Sequence, residues 1–223
     1  MTNRRLSFDS AMATGRGDDG TTGLLFGGDR VRKDDLRTEA YGTLDESVAA
    51  LGLARAELSM KEQYGVLSAS FGSLGDLILR LQRELFVAGA ELATNPEARH
   101  RQRDGETRVS APMLDGLETV LREMERGIEL PREFVVPGET RVSASLELAR
   151  TIVRRAERRA VTLAALDPAL AAGHLLPYLN RLADLLWILA RVAEQAEARE
   201  ATTARVVRGR PGRAAPPSPE GSA

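Results

Sequence analysis

Leu74-Gly75-Asp76-Leu77-Ile78-Leu79-Arg80-Leu81-Gln82-Arg83-Glu84-Leu85-Phe86-Val87-Ala88-Gly89-Ala90-Glu91-Leu92 repeats an apolar residue at steps of three and four: Leu74, Leu77, Leu81, Leu85, Ala88 and Leu92. Such steps fall on one stripe of a 3.6-residue helix, whereas a half-buried strand needs strict alternation. The same period returns on both sides. Leu44, Val48, Leu51 and Leu58 mark a helix before it, and Leu114, Leu117, Val120 and Leu121 mark one that follows Pro112. Val142, Ala149, Val153, Ala156, Ala160 and Leu163 mark a fourth, and Leu179, Leu182, Leu186, Leu189 and Ala193 a fifth. Pro177 suits the start of the last, because its fixed φ fits a first turn and its missing N–H would find no partner there. Strand-like alternation is nearly absent, so the chain reads as all-α, an antiparallel five-helix bundle. The polar stretch from Asn95 to Ser110 joins the second and third helices. The expected domain map is a flexible leader at 1–13, one helical domain over 14–202, and a disordered tail over 203–223. That tail is Arg, Gly, Pro and Ser, too polar to bury the surface that folding requires.

At 223 residues the chain has material for a full core in one domain. Its net charge of -1 supplies no general field toward nucleic acid or an acidic membrane surface, so any anion binding is local. No apolar run reaches the roughly 18 residues that span a bilayer. Arg4 and Arg5 are not followed by an apolar segment, which argues against a secretory signal and leaves a short transit-like leader open. The absence of cysteine excludes disulfides and thiol catalysis and fits a reducing compartment, here read as the cytoplasm. Glu97-Ala98-Arg99-His100 has the spacing of a di-iron bundle ligand pair, but it is a single copy in a polar loop, so no metal site is expected.

Three segments could carry chemistry. The first is the ribbon from Thr14 to Lys33, with Thr14, Arg16, Gly17, Asp18, Gly20, Thr21, Thr22 and Gly23 ahead of Lys33. Glycines let a backbone approach a ligand closely, amides and hydroxyls donate to phosphate oxygens, and lysine adds charge. The spacing matches neither the P-loop nor the dinucleotide fingerprint, so a phosphate cradle and a flexible polar arm both remain open. The second is the block Arg150-Thr151-Ile152-Val153-Arg154-Arg155-Ala156-Glu157-Arg158 on the fourth helix. At 100° per residue Arg150, Arg154, Glu157 and Arg158 lie side by side, with Glu157 in reach of Arg154. A run of arginines is often a solvated face. Here Arg154 and Arg158 repel at i,i+4, and a polyanionic phosphate would relieve them. The third is Phe134, which precedes the turn at Pro137-Gly138 and reads either as a core anchor or as a ring placed for a ligand. On the fifth helix Asn180, Asp184, Trp187 and Arg191 share a face apart from the leucines, with Asn180 near free N-terminal amides. On the first helix Asp45, Ala49, Gly52 and Ala56 form a small-residue face that admits another helix, from the bundle or from another subunit.

Taken together, the ribbon, Tyr41-Gly42-Thr43-Leu44-Asp45-Glu46, the Gln82 to Thr94 stretch, Phe134 to Thr140, Arg150 to Arg158 and Tyr178 to Leu186 follow one another as in the PduO-type ATP:cob(I)alamin adenosyltransferases, which this chain resembles over about residues 14 to 194. The resemblance implies a homotrimer of five-helix bundles with sites between subunits, ATP and cobalamin as substrates, and Mg2+ accompanying ATP. It implies that the ribbon from Thr14 to Gly23 lines the nucleotide and that Lys33, Arg154, Arg155, Glu157, Arg158 and Asn180 complete the ATP site. Arg150 would pair with Asp45 of a neighbouring subunit, and Phe134 would occupy the lower face of cobalt and displace its dimethylbenzimidazole ligand. A reductase and an adenosylcobalamin-dependent client enzyme are implied partners. Three positions depart from the family pattern: Gly15 stands at an arginine position with Arg16 one place later, Glu139 replaces a glycine, and Glu147 stands where histidine is common. A carrier or sensor with the same bundle and little catalysis is the alternative, and a plain helical scaffold a weaker one.

Overall fold

The computed structural model describes residues 13–59, 66–68 and 72–204. Five long helices make the body: α1 (Leu36–Ser59), α2 (Leu74–Ala93), α3 (Ala111–Gly127), α4 (Arg141–Ala164) and, after the four-residue α5 (Pro168–Ala171), α6 (Leu175–Ala196). α1 packs on α2 and α4, α4 packs on α6, and α3 lies against α6. Every stripe residue named from the sequence on α2, α4 and α6 is buried, as are Leu44, Leu51, Leu58, Leu117 and Val120. Val48, Leu114 and Leu121 are partly buried against the same core. Among the described residues no helix is long and apolar enough to cross a membrane.

Local chemistry sets the helix ends. Ser73 caps α2 reciprocally with Asp76: the Asp76 N–H donates to Ser73 Oγ at 3.1 Å, and the Ser73 N–H donates back to Asp76 Oδ2 at 3.1 Å. The Ser73 hydroxyl, donating to Asp76 Oδ2 at 2.7 Å, and then the Ser73 N–H hold the Asp76 carboxyl below its usual range. Thr140 caps α4 in the same way with Ser143, at 3.0 and 3.2 Å. Pro112 and Pro177 sit in the first turns of α3 and α6. The first helix begins two turns ahead of Leu44, the first residue of its apolar stripe. Asp35 starts it, its carboxylate accepting the Arg37 N–H at 2.8 Å and its carbonyl the Glu39 N–H at 2.9 Å.

Two segments expected to be irregular are fastened. The ribbon contains an antiparallel pair, β1 (Thr21–Thr22) with β2 (Val31–Arg32), and docks on the end of α2. There the Leu25 N–H donates to Ala93 O at 2.8 Å and the Asn95 N–H to Leu25 O at 3.1 Å. Gly28, at φ +94, lies so close to Asn95 that any Cβ would collide with its amide. The polar connection from Asn95 to Ser110 includes a 3₁₀ turn at Pro96–Arg101, which carries Glu97 and His100. Asp167, between α4 and α5, accepts from Arg37 at 2.9 Å and also from Arg99, which ties the starts of α1 and of the connection together.

The chain remains paired to the body on both sides of the expected boundary at 202/203. After α6 the chain turns back, and Thr203 forms an antiparallel bridge with Val135. The Val136 N–H donates to Thr202 O at 2.8 Å, and the Ala204 N–H to Phe134 O at 2.7 Å. Backbone pairing, which composition does not report, holds these residues. The rest of the expected tail, 205–223, and the leader at 1–12 lie outside the described residues.

Candidate functional site

Phe134 leaves the fold on the connection between α3 and α4, and its side chain is 89% exposed. The core-anchor reading is therefore excluded: the ring contributes little to packing. Its backbone is fixed by the bond from Ala204 and flanked by that from Val136 to Thr202. Beside it opens a cavity of about 640 Å³, bounded among others by Val135, Glu147, Arg150, Trp187 and Ala204. Exposed aromatic surface at the rim of a cavity suits a flat, largely apolar ligand.

The arginine block divides into two faces. Arg155 pairs with Glu46, and Arg159 pairs with Glu39 at 2.8 Å and with Thr43, so these two stitch α4 to α1. Arg154 and Arg158 lie on the exposed face. Among the described residues the Arg154 side chain has no hydrogen bond or ion pair, and Arg158 donates only to the Arg154 carbonyl, at 3.1 Å. Glu157 does not restrain Arg154 as its spacing suggested. It accepts from Asn180 Nδ2 at 3.2 Å, because α6 supplies a partner nearer to hand, and Arg181 donates to Asn180 Oδ1 at 2.7 Å. Glu157 and Asn180 are thus brought together, across α4 and α6, beside two uncompensated guanidinium groups.

The ribbon forms a closed turn around Lys33. A Cβ on Gly17 would stand 2.9 Å from Lys33 Nζ, and the Lys33 N–H donates to Gly20 O at 2.9 Å. Gly15 has φ +67 and makes the turn itself, while Arg16, one place on, is exposed. Arg30, which the sequence reading passed over, clamps the turn by donating to Thr21 Oγ1 at 2.7 Å, Thr21 O at 2.9 Å and Arg16 O at 2.8 Å. Asp19 accepts from the Thr21 hydroxyl at 2.8 Å and the Thr21 N–H at 2.9 Å, and these bonds lower its pKa. Thr21 is thus committed to the ribbon, while Thr14, Asp18 and Gly23 stay exposed and Thr22 half-buried. Among the described residues no hydrogen bond or ion pair joins residues 14–33 to Arg154, Glu157, Arg158 or Asn180.

Asp45 is exposed on α1, in a row with Ala49, Leu53 and Ala56, and has no polar partner among the described residues. Arg150 reaches within its own chain to Glu147, donating from Nε at 2.6 Å. The supposed shared face of Asn180, Asp184, Trp187 and Arg191 is not one surface. Asp184 is exposed, but Arg191 is only 1% exposed, with both Nε and Nη2 bonded to Glu194 at 2.7 Å. Periodicity places residues by angle and cannot anticipate that a buried acid turns a polar row inward. No group of three or more His, Asp or Glu side chains placed to hold a metal occurs among the described residues.

A helical bundle with an uncompensated arginine row and an aromatic-rimmed cavity defines a protein with one surface open to an anion and another to a flat apolar ligand. The family model for cobalamin adenosyltransferase matches residues 12–193, and the chain belongs to that family. It is 40% identical over 188 residues to a corrinoid adenosyltransferase of Citrobacter freundii, covering 81% of this chain and 93% of that protein. It is likewise 40% identical over 186 residues to one of Mycobacterium tuberculosis, covering 81% and 86%. Among solved structures it is similar to a variant of the PduO-type ATP:corrinoid adenosyltransferase from Lactobacillus reuteri complexed with cobalamin and ATP. That likeness has a TM-score of 0.69 at 27% identity and covers 87% of this chain and 96% of the other.

Proposed function

We propose that the chain transfers the 5′-deoxyadenosyl group of ATP to the cobalt of reduced cobalamin, and that Phe134 and the Arg154–Arg158 row are the parts of it that act on the two substrates. In this reaction the electron pair of Co(I) forms the bond to C5′, the C5′–O5′ bond breaks, and triphosphate leaves with the electrons of that broken bond. The nucleophile belongs to the substrate, so the protein needs no serine, cysteine or histidine. Its work is orientation and charge.

Arg154 and Arg158 would stabilise the triphosphate as its charge grows, since neither has an anionic partner among the described residues. The ribbon, with Lys33 and the exposed residues Thr14, Arg16, Asp18, Gly20 and Gly23, would close over the nucleotide. Glu157 and Asn180, already bonded to each other, would offer a fixed polar edge to its adenosine part. Thr21 enters as a brace of the ribbon, and Arg155, bound to Glu46, as a brace of α4. Phe134 would stand below the corrin and exclude the axial base and water, and four-coordinate Co(II) is easier to reduce. The two halves would meet between subunits of a homotrimer, with Arg150 beside Asp45 of a neighbour. Mg2+ would come with ATP. The described residues offer it no carboxylate cluster, and no step is assigned to it.

The observation that carries this reading is the exposed Phe134 ring at the cavity rim. The test is an anaerobic assay of reduced cobalamin with ATP, following the cobalt–carbon bond by absorbance and triphosphate by chromatography. Equal amounts of both products are expected. Tight binding of ATP and corrinoid without either product would make the chain a carrier.

A further inference from the structure

Four charged side chains lie in the seam between α4 and α6, beneath the cavity at Phe134. Glu147, 3% exposed, accepts from Arg150 Nε at 2.6 Å through Oε2. Its other oxygen stands 3.3 Å from Arg191 Nη1, which has no aligned hydrogen bond of its own. Arg191 is in turn gripped by Glu194, itself 1% exposed, and its guanidinium lies over the Trp187 ring at 5.4 Å. Two acids and two bases balance, so the row carries no net charge. Buried ionic groups cost desolvation that a hydrophobic seam would avoid, and they are best accounted for by what they position.

The row has one open end. Arg191 and Glu194 are enclosed, whereas Arg150 is a quarter exposed and borders the cavity. Glu147 takes Arg150 by Nε alone. The terminal Nη1 and Nη2 have no partner among the described residues, and that fork is the part of the guanidinium suited to a carboxylate. We propose that Glu147 is a positioning residue: anchored by Arg191 and Glu194, it fixes Arg150 at the cavity wall with its fork turned to the neighbouring subunit and the corrinoid. Asp45, exposed on α1 and without a polar partner among the described residues, is the carboxylate this proposal assigns to that fork. This inference rests on the adenosyltransferase reading and deepens it, because it names what sets the geometry of the corrinoid side.

A double-variant cycle on the full chain tests it. Glu147→Gln keeps the shape and an acceptor for Nε but removes the charge, and Glu147→Asp keeps the charge but withdraws it by one methylene. Both are expected to raise the KM for cobalamin about tenfold, as for loss of one charge-assisted contact, with the KM for ATP unchanged. Placed on Arg150→Ala, either change is expected to add less than twofold, because the residue through which Glu147 acts is gone. Full addition of the two effects, or an unchanged cobalamin KM in both folded Glu147 variants, overturns the inference. Should Glu147→Gln fail to fold, Glu147→Asp, which preserves the charge balance facing Arg191, decides the question alone. A wild-type chain that forms no adenosylcobalamin removes the functional reading and this inference with it. An active wild type with additive variants removes only the inference.

Discussion

At the scale of single residues, exposure separates roles that residue type leaves mixed. Burying a phenylalanine is worth about 1.5–3 kcal/mol, and Phe134 forgoes most of that. Phe134→Ala should consequently leave the melting temperature within a degree or two, because no core cavity is opened. Cob(II)alamin bound with ATP should remain five-coordinate in its paramagnetic resonance spectrum, and turnover should fall much more from Co(II) than from chemically supplied Co(I). A four-coordinate signal in that variant would end the lower-face role. Arg154→Ala should also spare the fold, since no partner is lost, while turnover drops roughly tenfold to a hundredfold, the equivalent of about 1.5–3 kcal/mol for a charge-assisted contact. Glu91 behaves differently. It is 2% exposed and accepts the Val109 N–H at 2.7 Å, and desolvation raises its pKa despite that bond and the nearby Arg108. A raised carboxyl pKa means that folding disfavours the ionised form. The penalty is absent below the unfolded value and grows as pH rises through that value toward the folded one. Glu91→Gln keeps the acceptor and should melt higher than wild type at pH 7, the gap closing as the pH falls below the carboxylate range. A gap independent of pH would assign the effect to packing.

At the scale of elements, the helices were legible because their stripes repeat over many turns and because each buried leucine reports the same face. Their ends were legible at Pro112 and Pro177 and misplaced at α1, which begins at Leu36 behind its Asp35 cap, ahead of the apolar stripe that signalled it. The site was half legible. The partner of Glu157 comes from another helix, which spacing along one helix does not report, and the partner of Arg150 lies only three residues away on its own helix. Least legible was the segment Thr202 to Ala204, whose pairing uses backbone groups that every sequence possesses. Those bonds yield a prediction. Removing 205–223 leaves the pairing with Phe134 to Val136 intact and should leave turnover from Co(II) near wild type. Removing 201–223 deletes all three partners and should produce the five-coordinate cobalt signal expected of Phe134→Ala, with the bundle still folded by circular dichroism. Equal activity of the two truncations would show that the connection between α3 and α4 holds the ring by itself.

On the scale of the whole molecule, the two candidate ATP-binding segments stand apart within one chain. The ribbon is docked on the end of α2, the arginine row faces outward from α4, and no hydrogen bond or ion pair joins them among the described residues. Around the outward faces lie exposed apolar residues: Leu53, two turns on from Asp45 on α1, and Leu148 and Val161 at either end of the arginine row on α4. A closed ring of three subunits would cover these surfaces and bring the ribbon of one chain to the arginines of the next. Light scattering should therefore give three times the chain mass of 24.2 kDa at micromolar concentration. Complementation then asks whether the site is shared. Lys33→Ala damages the ribbon half and Arg154→Ala the arginine half, so each homotrimer should be nearly inactive. In a mixed ring of either composition, one interface joins an intact ribbon to an intact arginine row. Random mixing of equal amounts should then restore about a quarter of wild-type turnover. If each chain instead folded its own ribbon over its own arginines, every site in every mixture would carry one lesion, and mixing would restore nothing.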